Sequence, residues 1–208
     1  MLGEARNLGL DQVDTPYVVV WDADDVMLPG TLPLLEHELR SRPALAAFGA
    51  AIVEADGARH RWPRRWVARV LLRPRLAQLV QCVWSVFPST GATIMRTELV
   101  RDAGGYPPTA SGEDWVLGVS LAFRGRLAWT ERPGRLYRRD PQSVWARRSD
   151  ARHLREHARE VRRRISRDRG IASWARAALP LIAVLQHVAI ALSRVRAARA
   201  PWSSVPGR

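Results

Sequence analysis

The stretch Tyr17-Val18-Val19-Val20-Trp21-Asp22-Ala23-Asp24-Asp25 decides how this chain is read. An unbroken run of valines between aromatic residues favours a buried strand, and Met27-Leu28-Pro29-Gly30 prevents its continuation. The run ends in three carboxylates. Acids crowded this closely repel one another unless a hard divalent cation or a set of hydrogen-bond donors offsets their charge. The competing reading is an Asp-rich turn that merely caps the next helix, so the neighbouring sequence has to arbitrate.

Working outward, Gly3 to Gln12 reads as the end of a helix, and the Thr15-Pro16 turn leads into a strand from Tyr17 to Trp21. Leu32, Leu35, Glu36 and Leu39 recur at helical spacing before Pro43, which predicts a helix from Gly30 to Leu39. Ala46 to Glu54 is a second apolar strand, closed by the turn signal Ala55-Asp56-Gly57. Strand, helix, strand is the alternation of an α/β sheet with parallel neighbours. Arg59 to Arg75 carries Trp62, Trp66 and many arginines, interrupted by Pro63 and Pro74, and reads as a mobile flap rather than core. Gly91 to Arg96 reads as a strand, Thr97 to Ala103 as a short helix ended by Gly104-Gly105, and Gly112 to Phe123 as a helix capped by Ser111. Leu127 to Thr130 returns as a strand.

After Pro141 the composition changes. Asp150 to Arg169 is arginine-laden, with Leu154, Ala158, Val161 and Ile165 on one face, which predicts an amphipathic helix. Ile171 to Val195 is mostly apolar around a narrow stripe of Arg176, His187 and Arg194. Its uninterrupted part, Ala177 to Leu185, is far short of the ~20 residues a bilayer span needs, which favours an interfacial or docked helix.

The 208 residues suffice for one domain with a small appendage, and 47% hydrophobic with 25% charged residues is a folding composition. All 33 basic residues are arginine and the net charge is +13, which favours polyanions such as nucleotide phosphates, nucleic acid or an anionic membrane face. The single cysteine, Cys82, excludes an internal disulfide and a thiolate metal cluster. Met1 to Asn7 lacks the features of a secretory signal, so the expected location is the cytoplasm, with peripheral attachment to the inner membrane face. Nucleic acid is the weaker partner, because Arg147 to Arg169 has no stacking aromatics and directly precedes an apolar helix. His153 and His157 stand four apart but lack a third ligand for zinc.

A second acidic constellation is Ser111-Gly112-Glu113-Asp114-Trp115, at the start of a predicted helix. The amides of a helix N-terminus stabilise carboxylates, so dipole compensation alone would explain the pair. A carboxylate held on a rigid helix can also take a proton from an acceptor hydroxyl as that oxygen attacks carbon.

Taken together, Ala5-Arg6-Asn7-Leu8-Gly9, Trp21-Asp22-Ala23-Asp24-Asp25, Gly91-Ala92-Thr93-Ile94-Met95-Arg96, Gly104-Gly105-Tyr106 and Glu113-Asp114 resemble, in order and spacing, family 2 glycosyltransferases of the GT-A fold. The resemblance covers Ala5 to about Ser143 and implies an α/β fold: a GT-A-like mixed sheet flanked by helices, lacking its first strands, with a C-terminal helical extension. Residues 1–145 would form a partial GT-A domain and 146–208 a basic amphipathic helix followed by an apolar helical tail.

The resemblance implies transfer of a sugar from a nucleotide-sugar donor to a saccharide or lipid-linked acceptor, with inversion and with a Mg or Mn ion. Asp22 and Asp24 match the family's DxD motif, with Asp25 as the flanking acid, so Asp22, Asp24 and Asp25 would serve the metal. Asp114 matches the catalytic base, with Glu113 beside it, and Arg6, Asn7, Asp22 and Gly91 fall at donor-binding positions. Asp140 stands where many relatives carry a histidine. Two other readings stay open: an inactive truncated remnant serving as a binding module, and a basic membrane- or nucleic-acid-binding protein.

Overall fold

A computed structural model of the chain describes residues 1–41, 44–55, 58–87, 90–109, 111–138 and 150–199. The Asp56-Gly57 turn and Asp140 lie outside the described residues. Helix α1 (Leu2–Asp11) leads into strand β1 (Tyr17–Val18), and the acidic turn connects it to β2 (Val26–Met27). Next come α2 (Thr31–Ser41), β3 (Ala46–Ala55), β4 (Ala58–Trp62), α3 (Arg65–Leu71), α4 (Pro74–Val83) and β5 (Thr93–Arg96). Then follow α5 (Thr97–Asp102), α6 (Glu113–Arg124) and β6 (Leu127–Arg138), and after them α7 (Ala151–Arg167), α8 (Ser173–Ala177) and α9 (Leu179–Arg199).

The six strands form one mixed sheet in the order β1-β5-β3-β6-β2, with β4 pairing on β3. β3 is its axis. It runs parallel to β6 along most of its length, while its other side pairs antiparallel with β5 at Ala46 to Phe48 and with β4 at Ala51 to Ala55. Alternation of side chains sorts the two faces. Ala46, Phe48, Met95, Leu127 and Trp129 join a cluster with Leu117 and Leu121 of α6, whereas Ala47, Ile94 and Ala128 meet Leu35 and Leu39 of α2.

Four expectations change, the first being that β1 ends at Val18 rather than at Trp21. β6 does not stop at Thr130 but runs to Arg138. Pro133 and Gly134 are absorbed where the β3/β6 register shifts around Ala50, a bulge that lets a residue without an N–H sit inside a strand. Arg59 to Arg75 is ordered and partly core: Ala68 and Leu71 of α3 are buried in the main cluster, and the prolines stand at element borders, Pro74 in the first turn of α4. Trp62 and Trp66 do remain exposed. Finally, the residue that caps α6 is Gly112, left-handed at φ 75°, and the Ser111 hydroxyl lies 2.8 Å from the His157 ring nitrogen instead.

The C-terminal helices pack onto the same body. Ala158, Val161 and Ile165 of α7 and Ile182 and Ile190 of α9 bury against Trp115, Val116 and Val119 of α6. Asp150 caps α7 by accepting the His153 amide hydrogen at 2.8 Å. No described helix is long and apolar enough to cross a membrane.

An ion pair locks this layer. Arg124, near the end of α6, donates two hydrogen bonds to Asp168, at 2.8 and 2.9 Å, with both side chains largely buried. Burial pushes the Asp168 carboxyl up, but hydrogen bonds from Arg124, Ser120 and the Gly170 amide outweigh it and hold the group below its ordinary range. The stability this contributes is present at neutral pH and lost as pH falls through the lowered pKa. Arg124→Ala strands a buried carboxylate and should cost about 3–5 kcal/mol in denaturant unfolding at pH 7, with the loss shrinking in acid.

Candidate active site

β1 and β2 are the two outer strands of the main ladder, so the chain between them must cross one end of the sheet. Four inter-strand steps of about 4.8 Å make roughly 19 Å, a distance the residues from Val19 to Asp25 cover even with a turn at Asp22 to Asp25. The acids are therefore laid along that end. The Asp25 amide donates to the Asp22 carbonyl at 3.1 Å and the Trp21 indole to the Asp25 carbonyl at 3.2 Å, which shapes the turn.

Arg6 of α1 reaches this turn and the start of α6 at once. One guanidinium nitrogen donates to Asp22 Oδ1 at 2.8 Å and the other to Glu113 Oε1, with the group stacked 5.4 Å over the Tyr106 ring. Burial disfavours the charge on Arg6, yet the charges of Glu113 and Asp22 raise its pKa further. Asn7, the next residue, is engaged elsewhere. Its amide donates to the Tyr106 carbonyl at 2.8 Å and accepts from the Tyr106 N–H at 2.9 Å. A Cβ on Gly105, left-handed at φ 59°, would stand 2.6 Å from the Asn7 oxygen, so glycine keeps this clamp closed.

Arg135 of β6 is the second cation of the site, and sequence reasoning missed it. It pairs with Asp25 and, at 3.3 Å, with Asp22, and its guanidinium lies 4.9 Å from the Tyr137 ring centre. Gly91 makes room for it: φ is +74°, and a Cβ there would come within 2.7 Å of Arg135 Cδ. The only cue in the sequence was that a strand might survive Pro133-Gly134. Asp24, by contrast, is exposed and makes no ion pair among the described residues.

Five carboxylates, on Asp22, Asp24, Asp25, Glu113 and Asp114, thus face two guanidiniums. Burial pushes the Asp25 carboxyl up, Arg135 only partly offsets this, and Asp22 and Asp24 add repulsion, leaving it at about 6. Asp25 Oδ1 and Glu113 Oε2 are buried without hydrogen-bond partners. Burial raises Glu113, with the Asp114 charge adding to it against Arg6. Burial likewise raises Asp114, opposed by the hydrogen bond its Oδ1 accepts from the Trp115 amide at 2.7 Å and by Arg6.

Uncompensated acid with orphaned oxygens fits a cation. Among the described residues, however, no three acids, histidines or cysteines converge as a ready cage for a metal ion. Exposed Asp24 and half-buried Asp22 are the carboxylates an ion could reach, with its remaining ligands coming from a bound anion. His153 bonds Asp150 and His157 bonds Ser111, so the two do not share a ligand.

Two outcomes test this electrostatic picture. A carboxyl raised by folding makes the native state bind more protons, so its contribution falls as pH rises from about 4 to 6. Thermal melts of wild type minus Asp25→Asn should show that slope, whereas a pH-independent difference would mean Asp25 is not perturbed. Gly91→Ala should displace Arg135 and lower the melting temperature by several degrees, as a strained backbone and a steric clash costing roughly 1–3 kcal/mol would.

A family model described as Glycosyl transferase family 2 matches residues 1–104, half of the chain. No curated protein matches it. Among solved structures, S. aureus TarS 1-349 in complex with UDP-GlcNAc superposes with a TM-score of 0.65 at 14% identity over 96% of this chain. The same fragment with UDP gives 0.62 at 15% identity, and a longer S. aureus TarS structure gives 0.56 at 15%. The chain spans 56% of the UDP-GlcNAc-bound fragment and 33% of the longer structure. The likeness is one of fold, a mixed sheet flanked by helices as in GT-A enzymes. With half the chain matched by its model, this protein belongs to glycosyl transferase family 2, on a GT-A fold.

Proposed function

We propose that this chain binds a nucleotide-sugar and transfers the sugar to an acceptor hydroxyl by a single, inverting displacement. The observation that carries the proposal is the bridge made by Arg6, which holds Asp22 of the acidic turn and Glu113 of α6 on one guanidinium. It sets the acidic turn beside a half-buried carboxylate of raised pKa, Asp114, at one end of the sheet. The TarS fragment of similar fold was solved with UDP-GlcNAc and with UDP, so UDP-sugars are the first donors to test.

In this reading Arg6 and Arg135 supply fixed positive charge next to the diphosphate, the service a guanidinium performs best because it stays ionised. Asp22 and Asp24 would hold a Mg or Mn ion, which neutralises charge gathering on the departing nucleoside diphosphate. Asp114 accepts the proton of the acceptor hydroxyl as that oxygen attacks the anomeric carbon from the face opposite the leaving group. A raised pKa brings this base closer to its working pH, so proton transfer is better matched than for an ordinary carboxylate. Glu113 orients Arg6, while burial first and then the Asp22 charge raise Asp114. The acceptor is a saccharide or a lipid-linked sugar.

The test is turnover of UDP-GlcNAc, read as UDP release, together with donor binding. Asp114→Asn should keep binding and lose about 10²-fold or more in turnover, whereas unchanged turnover removes Asp114 as base. Wild-type turnover should fall in acid through a pKa above the ordinary carboxylate range, and chelation of divalent ions should abolish it. Binding without turnover in the wild type would favour the binding-module reading.

A further inference from the structure

Helix α9 carries two apolar faces and only one of them is covered. Ile182, Gln186 and Ile190, spaced by four, are buried, and the Gln186 side chain donates to the Cys82 carbonyl of α4 at 2.8 Å and accepts from Arg162 of α7. On the opposite side Leu181, Val184, Leu185, Val188 and Leu192 are between 42% and 60% exposed. At 100° per residue these five fall within a band of about 100°, the width of a buried helix face. Scattered exposed leucines are ordinary, but a continuous stripe of five marks a contact surface.

Its surroundings name the contact. α7 and α9 bury their inner faces in one cluster with α6, so both outer faces turn away from that cluster. The outer face of α7 is a row of Arg152, Arg155, Arg159, Arg163 and Arg167, all exposed. Arg152 and Arg163 are paired with Glu156 and Glu160, while Arg155, Arg159 and Arg167 make no ion pair among the described residues. Trp174 of α8, the helix that precedes α9, is 40% exposed and shares a groove with Leu79, Gln78 and Arg75 of α4. An indole, aliphatic side chains and guanidiniums side by side suit the headgroup level of a bilayer.

We infer that α9 lies flat in the surface of an anionic membrane, with its stripe among the acyl chains and the α7 arginines on lipid phosphates. No described helix is long and apolar enough to cross the bilayer, and the inference is independent of the transfer chemistry. A second copy is the weaker occupant, because a two-fold contact through α9 would bring two arginine rows of a +13 chain together.

The experiment is co-sedimentation of the chain with phosphatidylcholine vesicles with and without phosphatidylglycerol. The wild type should bind only the anionic vesicles. Leu185→Asp with Val188→Asp should weaken binding by about tenfold or more, from the loss of buried apolar area. Arg155→Glu with Arg159→Glu should weaken it by at least about fivefold per position, as expected for charges at such a surface. All four side chains are exposed, so melting temperatures should not change. Binding that ignores the stripe variant would show a purely electrostatic contact and overturn the inference. So would a folded wild type that ignores anionic vesicles, or a lipid-free dimer that the stripe variant dissolves.

Discussion

One guanidinium holds the functional end of this molecule together. Arg6 stands between Asp22, at the end of the chain leaving β1, and Glu113, at the first turn of α6, two groups separated by most of the domain in sequence. Burial raises Glu113, and half-buried Asp22 lies beside other carboxylates. A buried charge missing its partner is among the most costly defects a fold can carry. The position of α1 follows from this need, and the Asn7 clamp on Tyr106 and the glycine pair before it keep α1 where Arg6 can reach.

The acidic end of the sheet holds unbalanced charge. Asp25 is raised to about 6 chiefly by burial, with repulsion from Asp22 and Asp24 adding to it, and oxygens of Asp25 and Glu113 are buried without hydrogen-bond partners. Bound diphosphate alone would worsen the repulsion, and a cation alone would relieve it. The two together restore balance, which is why nucleotide and metal should bind cooperatively. Strain held at such sites is a recurrent consequence of selecting for binding rather than for stability.

Much of this was legible in the sequence and some was not. The run from Tyr17 to Asp25, the Gly-Gly-Tyr turn and Glu113-Asp114 pointed to the candidate site because each motif is local in the chain, and the structure brings Asp22, Tyr106 and Glu113 together around Arg6. Arg135 was hidden because Pro133-Gly134 reads as a break, and only the bulged pairing with β3 shows that the strand continues. The segment from Arg59 to Arg75 read as a flap because its arginines and tryptophans outnumber the two residues, Ala68 and Leu71, that tie it to the core. Ser111 satisfied every rule for a helix cap, yet a left-handed Gly112 took the place and freed the hydroxyl for His157. Amphipathicity found α7 correctly, whereas the two-faced character of α9 emerges only when packing shows which stripe is covered.

The proposed role of Arg6, as the link between the acidic turn and the start of α6, is tested most directly by calorimetric titration. UDP is titrated with and without Mn into the wild type and into Arg6→Met, each first shown to melt cooperatively. The account predicts that the wild type binds UDP only with Mn present, and that the variant weakens binding by at least about tenfold, the loss of charge-assisted hydrogen bonds at a phosphate site. Equal affinity in the two proteins, or no binding to folded wild type, would contradict it.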